Sequence, residues 1–173
     1  MHLVQCTEER HAGAILAIFN EAIVNSTALY DYKPRAPEAM SPWFATKRAN
    51  GFPVIGAEDD SGRLLGFSSY GTFRAWPAYK YTVEHSIYIE AGQRGAGLGR
   101  TLLEALIASA REHDVHIMVG AIDLQNTASI ALHERLGFEH AGTIRQAAFK
   151  FGRWLDLAFF QLVLETPLKP VDG

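Results

Sequence analysis

Three glycines and two arginines stand within eight residues, QRGAGLGR at 93–100, between an alternating segment, TVEHSIYIE, and an apolar one, TLLEALIASA. A strand that ends in glycines and runs straight into a helix exposes several N–H groups at the helix mouth, where the helix dipole also favours an anion. Strand, turn and helix are thereby fixed in order, and a phosphate becomes the natural guest. Gly95, Gly97 and Gly99 permit positive φ and close backbone approach, while Arg94 and Arg100 add positive charge. A nucleotide P-loop needs Gly-Lys followed by Ser or Thr, which this stretch does not have. A dinucleotide fingerprint belongs at the first turn of a strand-helix-strand unit, whereas this turn follows three or four strands. On spacing alone, a flexible glycine loop without a ligand remains the competing reading.

The rest of the chain supplies the frame. HLVQC is a short strand, and Thr7 is placed to cap a helix with Glu8 and Glu9 in its first turn and Ile15, Ile18, Phe19, Ala22 and Ile23 at helical spacing. NSTALYDYKPRAPEAM breaks that period at Pro34 and Pro37. SPWFATKRAN predicts a short helix capped by Ser41, with Pro42 at its first position. The loop between them is long for a compact domain, which makes Tyr30 and Tyr32 candidate substrate walls. PVIGAED and LLGFSSYGTF are strands joined by a DDSGR hairpin turn, and YTVEHSIYIE is the next strand. Leu98, Leu102, Leu103, Leu106 and Ile107 mark one face of a helix that ends near REHD. HIMVGAI reads as a central buried strand, NTASIALHERLGF as a helix closed by Gly137, and DLAFFQLVL as a final strand. Meander strands first and strand-helix-strand units later predict an α+β fold in a single domain over 1–173, with a loose tail over 166–173.

Composition excludes several classes. With 48% apolar residues in 173, the chain can bury one good core. A net charge of -3, a pI near 6.1 and scattered basic residues argue against a nucleic-acid partner. The N-terminus has no signal pattern and no apolar run approaches the ~20 residues that span a bilayer, so a soluble, cytoplasmic protein with no membrane partner is expected. Cys6 is the one cysteine, which excludes an internal disulfide; in an apolar strand it reads as a small buried hydrophobe rather than a nucleophile. His113 and His116 lie close, as do His133 and His140, but no cluster completes a zinc set, so no metal is expected.

QRGAGLG after an alternating strand resembles motif A of the GCN5-related N-acetyltransferases (GNAT), and NTASIALHERLGF resembles their motif B. The likeness extends through NSTALY, TVEHSIYIE, SIALHERLGF and FKFGRWLDLAFFQL to the branch that acetylates phosphinothricin, methionine sulfoximine and methionine sulfone, and it covers nearly the whole chain. It implies a mixed, mostly antiparallel, twisted sheet flanked by helices and splayed at its fourth strand, where acetyl-CoA enters. It also implies a homodimer, for which the aromatic GRWLDLAFFQ is the candidate interface, core packing being the other use of those rings. In the same resemblance Arg94, Gly95, Ala96, Gly97, Leu98, Gly99 and Arg100 hold the pyrophosphate, and a backbone N–H of Ile87, Tyr88 or Ile89 holds the thioester oxygen. Asn126 and Ser129 meet the pantetheine arm, an N-cap being equally open to Asn126.

Transfer from a thioester to an amine needs a neutral amine, a polarised carbonyl and a proton for the leaving thiolate. Glu84 and His85 are the candidate bases, and strand neighbours point to opposite faces. The resembled branch places its acid at Glu84; His85 stands as second base or substrate contact. Much of the superfamily has a proton-donating tyrosine where this chain has His133, which is read either as the general acid or as a packed helical histidine. Arg74 offers a guanidinium fork to carboxylate, sulfone or phosphinate oxygens, or is a plain surface arginine. Tyr30, Phe73, Ala75, Trp76 and Ser86 complete the candidate substrate contacts, while Phe73, Trp76, Tyr79 and Tyr81 equally suit interface or core packing. The expected reaction is acetyl-CoA-dependent acetylation of the α-amine of a small amino acid with an oxidised, tetrahedral side-chain head. The alternatives are acetylation of protein N-termini or other small amines, and a CoA-binding sensor without turnover.

Overall fold

The computed structural model describes residues 1–172, and the chain divides into two compact units. Unit 1 comprises Met1–Tyr70 with Ser86–Leu106, and unit 2 comprises Gly71–His85 with 107–172. Seven strands and four α-helices follow one another as β1 (His2–Gln5), α1 (Glu8–Asn25), α2 (Met40–Ala49), β2 (Val54–Glu58), β3 (Leu64–Thr72), β4 (Thr82–Ile89), α3 (Leu98–Glu112), β5 (Ile117–Asp123), α4 (Thr127–Arg135), β6 (Glu139–Lys150) and β7 (Arg153–Val163). The mixed α+β class is as expected. β4 and α3 each pass from one unit into the other along the chain.

In unit 1 the strands run β1-β2-β3 and on to the second half of β4. β1–β2 and β2–β3 are antiparallel, and Asp59 closes the hairpin between them by accepting from the N–H groups of Ser61 and Arg63 at 2.9 and 3.1 Å. Thr7 caps α1 as expected, its side chain accepting the N–H of Arg10. α1 buries Ile15, Ile18, Phe19 and Ala22 against Phe44 of α2 and Val54, Phe67 and Tyr88 of the sheet. Phe19 meets Phe67 and Tyr88 edge-on at 5.2 and 5.1 Å, so burial and quadrupole attraction act together. A second cluster joins Leu98 and Leu102 of α3 to Ala57, Leu65, Ile87 and Ile89. Ser41 is not the cap of α2: a 3₁₀ turn, Pro37–Ala39, leads directly into the helix, and Ser41 sits in its first turn bonded to Glu8.

In unit 2, β5 is central. It lies parallel to the first half of β4, from Thr82↔Ile117 to Glu84↔Val119, and antiparallel to β7 from Ile117↔Val163 to Asp123↔Leu157. The parallel ladder thus spans three residue pairs and the antiparallel one seven. α4 closes with Gly137 at φ +87°, where the N–H of Phe138 reaches the His133 carbonyl at 3.0 Å. The sequence reading left β6 unassigned, yet it is a 12-residue strand antiparallel to β7. Register breaks at His140/Gly142 and Ile144/Ala148 destroy the alternation by which a strand is recognised. Residues 166–172 form no regular element, but Val171 donates to the Tyr81 hydroxyl at 3.2 Å; Gly173 lies outside the described residues.

Candidate active site

The glycine turn of unit 1 is open and cationic. Gly95 and Gly97 take φ of +85° and +84°, and a Cβ at either would meet nothing within 4 Å. Left-handed glycines before the first turn of a helix are the kind of backbone that can offer consecutive N–H groups to an anion such as a diphosphate. Gly99 departs from expectation: it already lies inside α3 and needs no positive φ. Ala96 is exposed, while the Leu98 side chain is buried, leaving Leu98 only its N–H for a ligand. Arg94 is braced, donating to Glu21 at 2.6 Å and to the Ile89 carbonyl at 3.3 Å, and Arg100 donates to Glu104 at 2.8 Å. Tyr88, Ile87 and Ile89 spend their side chains on the unit 1 core, so β4 has only backbone groups to offer a thioester here.

Unit 2 carries the titratable groups. Glu84 is exposed as a residue, yet the protein around its carboxyl strips away enough water to raise its pKa above the ordinary carboxylate value. Thr82 precedes it on the same face, and its register partner is Val119. Both residues line a cavity of about 310 Å³ whose other walls are Phe73, Tyr79, Ile117, Ala141, Gly142, Phe159 and Gln161. The aromatic run TFRAWPAYKY had offered Phe73 and Tyr79; the remaining walls come from four strands that only the fold brings together. Phe73 meets Tyr79 edge-on at 5.9 Å, and the Arg74 guanidinium lies 5.5 Å from the Phe73 ring centre. Ala75 and Trp76 follow on an exposed loop, and Ser86 and Tyr30 are partly open to solvent.

His85 is corrected as a base or substrate contact. It is 6% exposed, on the face opposite Glu84, and its Nε2 lies 2.9 Å from Nε2 of His133. The Nδ1–H of His133 donates to the Ser129 carbonyl at 2.7 Å, which fixes the tautomers. Nε2 of His133 then accepts and Nε2–H of His85 donates. Burial lowers both pKa values, and the neighbouring imidazole lowers that of His85 further, so the pair is neutral. Gly120 makes room: a Cβ there would stand 3.0 Å from His85 and 3.2 Å from His133.

Asn126 caps α4, its Oδ1 accepting the Ser129 N–H at 3.2 Å, which leaves its Nδ2 donors for another partner. The turn before it is held by a pair the sequence reading missed. Asp123, buried at the end of β5, accepts from Arg153 at 2.9 Å and from the Gln125 N–H at 3.1 Å. Thirty residues separate that carboxylate from its guanidinium, and no local pattern announces such a partner. Cys6 is buried, its thiol pushed up to about 12 first by burial and then by the Glu58 charge, in keeping with a small hydrophobe. Among the described residues no three His, Cys, Asp or Glu side chains gather as metal ligands, and no helix is long and apolar enough to cross a membrane.

Comparison with known proteins agrees with this arrangement. The Acetyltransferase (GNAT) family matches residues 16–138. The chain is 48% identical over 151 residues to the L-methionine sulfoximine/L-methionine sulfone acetyltransferase of Pseudomonas aeruginosa, covering 87% of this chain and 88% of that one. It is 37% identical to the phosphinothricin N-acetyltransferase of Alcaligenes faecalis, covering 91% of this chain and 80% of the other. The structure superposes with a TM-score of 0.93 on a phosphinothricin acetyltransferase from Sinorhizobium meliloti solved in complex with AcCoA, at 35% identity over 99% of this chain and 94% of that one. The open glycine turn, the two motifs and these likenesses converge on one conclusion: the chain belongs to the acetyltransferase (GNAT) family.

Proposed function

We propose that this N-acetyltransferase moves the acetyl group of acetyl-CoA to the α-amine of a small amino acid carrying an oxidised, tetrahedral head, of the methionine sulfoximine, methionine sulfone or phosphinothricin kind. The observation that carries the reading is Glu84, whose carboxyl has a raised pKa and shares a strand face with the lining of a cavity sized for such a side chain. Relatives named for these substrates support it. In this reading the N–H groups at Gly95, Ala96, Gly97, Leu98 and Gly99 hold the pyrophosphate, with Arg94 and Arg100 adding charge. Backbone N–H groups over Ile87–Ile89 polarise the thioester, and Nδ2 of Asn126 holds the pantetheine arm beside Ser129. Arg74 clamps the substrate's oxygens, and Phe73, Tyr79 and Trp76 flank its methylene chain.

The protons balance without a dedicated acid. Glu84 takes one proton from the ammonium, the freed lone pair attacks the thioester carbonyl, and the nitrogen loses its second proton as the C–S bond breaks and the thiolate is neutralised. Neutral His85 and His133 brace strand against helix behind this chemistry. We further propose that residues 1–173 make up a single catalytic domain. We also infer a cytoplasmic homodimer that meets small molecules rather than membranes or nucleic acid; the β6–β7 surface and the net charge of -3 support the dimer and the last point.

A thiol-release assay with methionine sulfone and acetyl-CoA tests the core of this reading. Glu84→Gln should lower kcat/KM by about 10²–10⁴ with acetyl-CoA affinity unchanged. In the parent enzyme kcat/KM should fall as pH drops through the raised Glu84 pKa, and no second limb should come from the neutral histidines. Full activity of the Gln variant would remove Glu84 from the mechanism.

A further inference from the structure

No charged side chain lines the cavity of unit 2, and its polar side chains are three. Tyr79 and Thr82 enter from β4 or the turn before it, while Gln161 enters alone from β7. Register places Gln161 in line with the proposed base. Glu84 stands opposite Val119 and Val119 opposite Gln161, so the three residues form one row across β4, β5 and β7. Strands about 4.8 Å apart separate the backbones of Glu84 and Gln161 by roughly 10 Å, with the apolar Val119 between them. Room for a ligand remains at the far end of that row. The register of β6 slips between His140 and Gly142, the walls there are Ala141 and Gly142, and a Cβ at Gly142 would meet nothing within 4 Å. Gln161 is partly buried, and among the described residues its amide makes no hydrogen bond.

We propose that Gln161 is the specificity-determining residue for the oxidised head of the acceptor, its side-chain N–H₂ donating a hydrogen bond to a head oxygen. The inference rests on the acceptor class proposed above and adds the residue that enforces it. Length supports the placement. In an amino acid of the methionine kind four single bonds run from the amine nitrogen to the sulfur, about 5 Å when extended. A hydrogen bond at each end adds about 3 Å, for a total of roughly 11 Å, comparable to the span of the row. The amine then lies at Glu84, the methylenes over Val119 and the head at Gln161. A thioether in the same place offers no strong acceptor, so the amide loses its water and gains no partner. A site that must bond an oxygen in this way rejects the analogue that lacks it. Arg74, exposed and outside the cavity lining, is left to the carboxylate that every amino acid brings.

The test lets methionine sulfone and methionine compete for the full chain in one mixture with acetyl-CoA. Mass spectrometry of the two N-acetyl products gives the ratio of their kcat/KM values, which does not depend on how much of a variant is folded. The parent should prefer the sulfone by at least about tenfold, and Gln161→Leu should cut that preference by about tenfold. Gln161→Glu keeps the size but offers only acceptors near neutral pH, and it should cut the preference at least as far. Arg74→Gln removes a partner that both substrates share, so it should slow both and hold their ratio within about twofold. A parent that turns over the sulfone while its preference survives in both Gln161 variants would overturn the role of Gln161 and leave the acceptor class standing. Collapse of the ratio in Arg74→Gln instead would hand the head to Arg74, with the same result. A parent that acetylates neither compound, or both equally well, would sink the acceptor class and this inference with it.

Discussion

Glu84 and His85 are chain neighbours that the pleat of β4 sends to opposite faces, Glu84 to the face on which Thr82 lines a cavity and His85 into a packed interior. The sequence showed the alternation but not which face would hold a cavity, because the cavity walls come from β5, β6 and β7. The buried imidazoles have a consequence for stability. Their folded pKa values lie below the ordinary 6.5, so the unfolded chain binds more protons than the folded one once pH falls beneath that value. The stability that comes from keeping them neutral is complete above about pH 6.5 and drains away as pH falls towards the folded values. Denaturant unfolding between about pH 7 and 5 should show a declining free energy. His133→Leu should flatten part of that decline and, by leaving the His85 N–H without its acceptor, cost about 1–3 kcal/mol at pH 7. A variant with the parent's slope would place the acid sensitivity elsewhere.

Among the elements, legibility followed how local the cause was. The cap at Thr7, the hairpin at 59–63 and the Gly137 closure of α4 each rest on a few adjacent residues, and each was read correctly. Gly99 and Ser41 were misplaced by about two residues because the sequence does not mark where a helix begins when a 3₁₀ turn or a glycine run precedes it. β6 was lost to its two irregularities, and the Asp123–Arg153 pair to its separation in sequence. At the anion turn, Gly97, like Gly95, has a positive φ, here +84°, while the space beside it is empty. Gly97→Ala should therefore act through backbone strain of about 1–2 kcal/mol rather than through a clash. Because that strain tilts the N–H groups of the turn, KM for acetyl-CoA should rise about tenfold with kcat little changed, measured at saturating amine. A fall in kcat with unchanged KM would show that the turn does not hold the donor.

At the scale of the whole molecule, the open question is what covers the last strand. β6 ends the order β5-β7-β6 and so presents an unpaired edge, and the hairpin it forms with β7 exposes Ile144 at 54%, Phe151 at 57% and Trp154 at 58%. An apolar edge of that length on an isolated chain invites uncontrolled strand pairing. The homodimer proposed above would cover that edge, a patch of about 800 Å² per partner being enough for a stable dimer. Light scattering during gel filtration should then give about twice the 19.1 kDa of one chain. Ile144→Lys combined with Trp154→Lys places like charges on both sides of such a contact and should shift the mass to that of one chain. Arg153 and its bond to Asp123 remain in that variant, so the turn that carries Asn126 keeps its anchor. Loss of activity on monomerisation would then mean that the partner copy helps to form the acceptor pocket, and a parent protein that elutes as a monomer at micromolar concentration would refute the dimer.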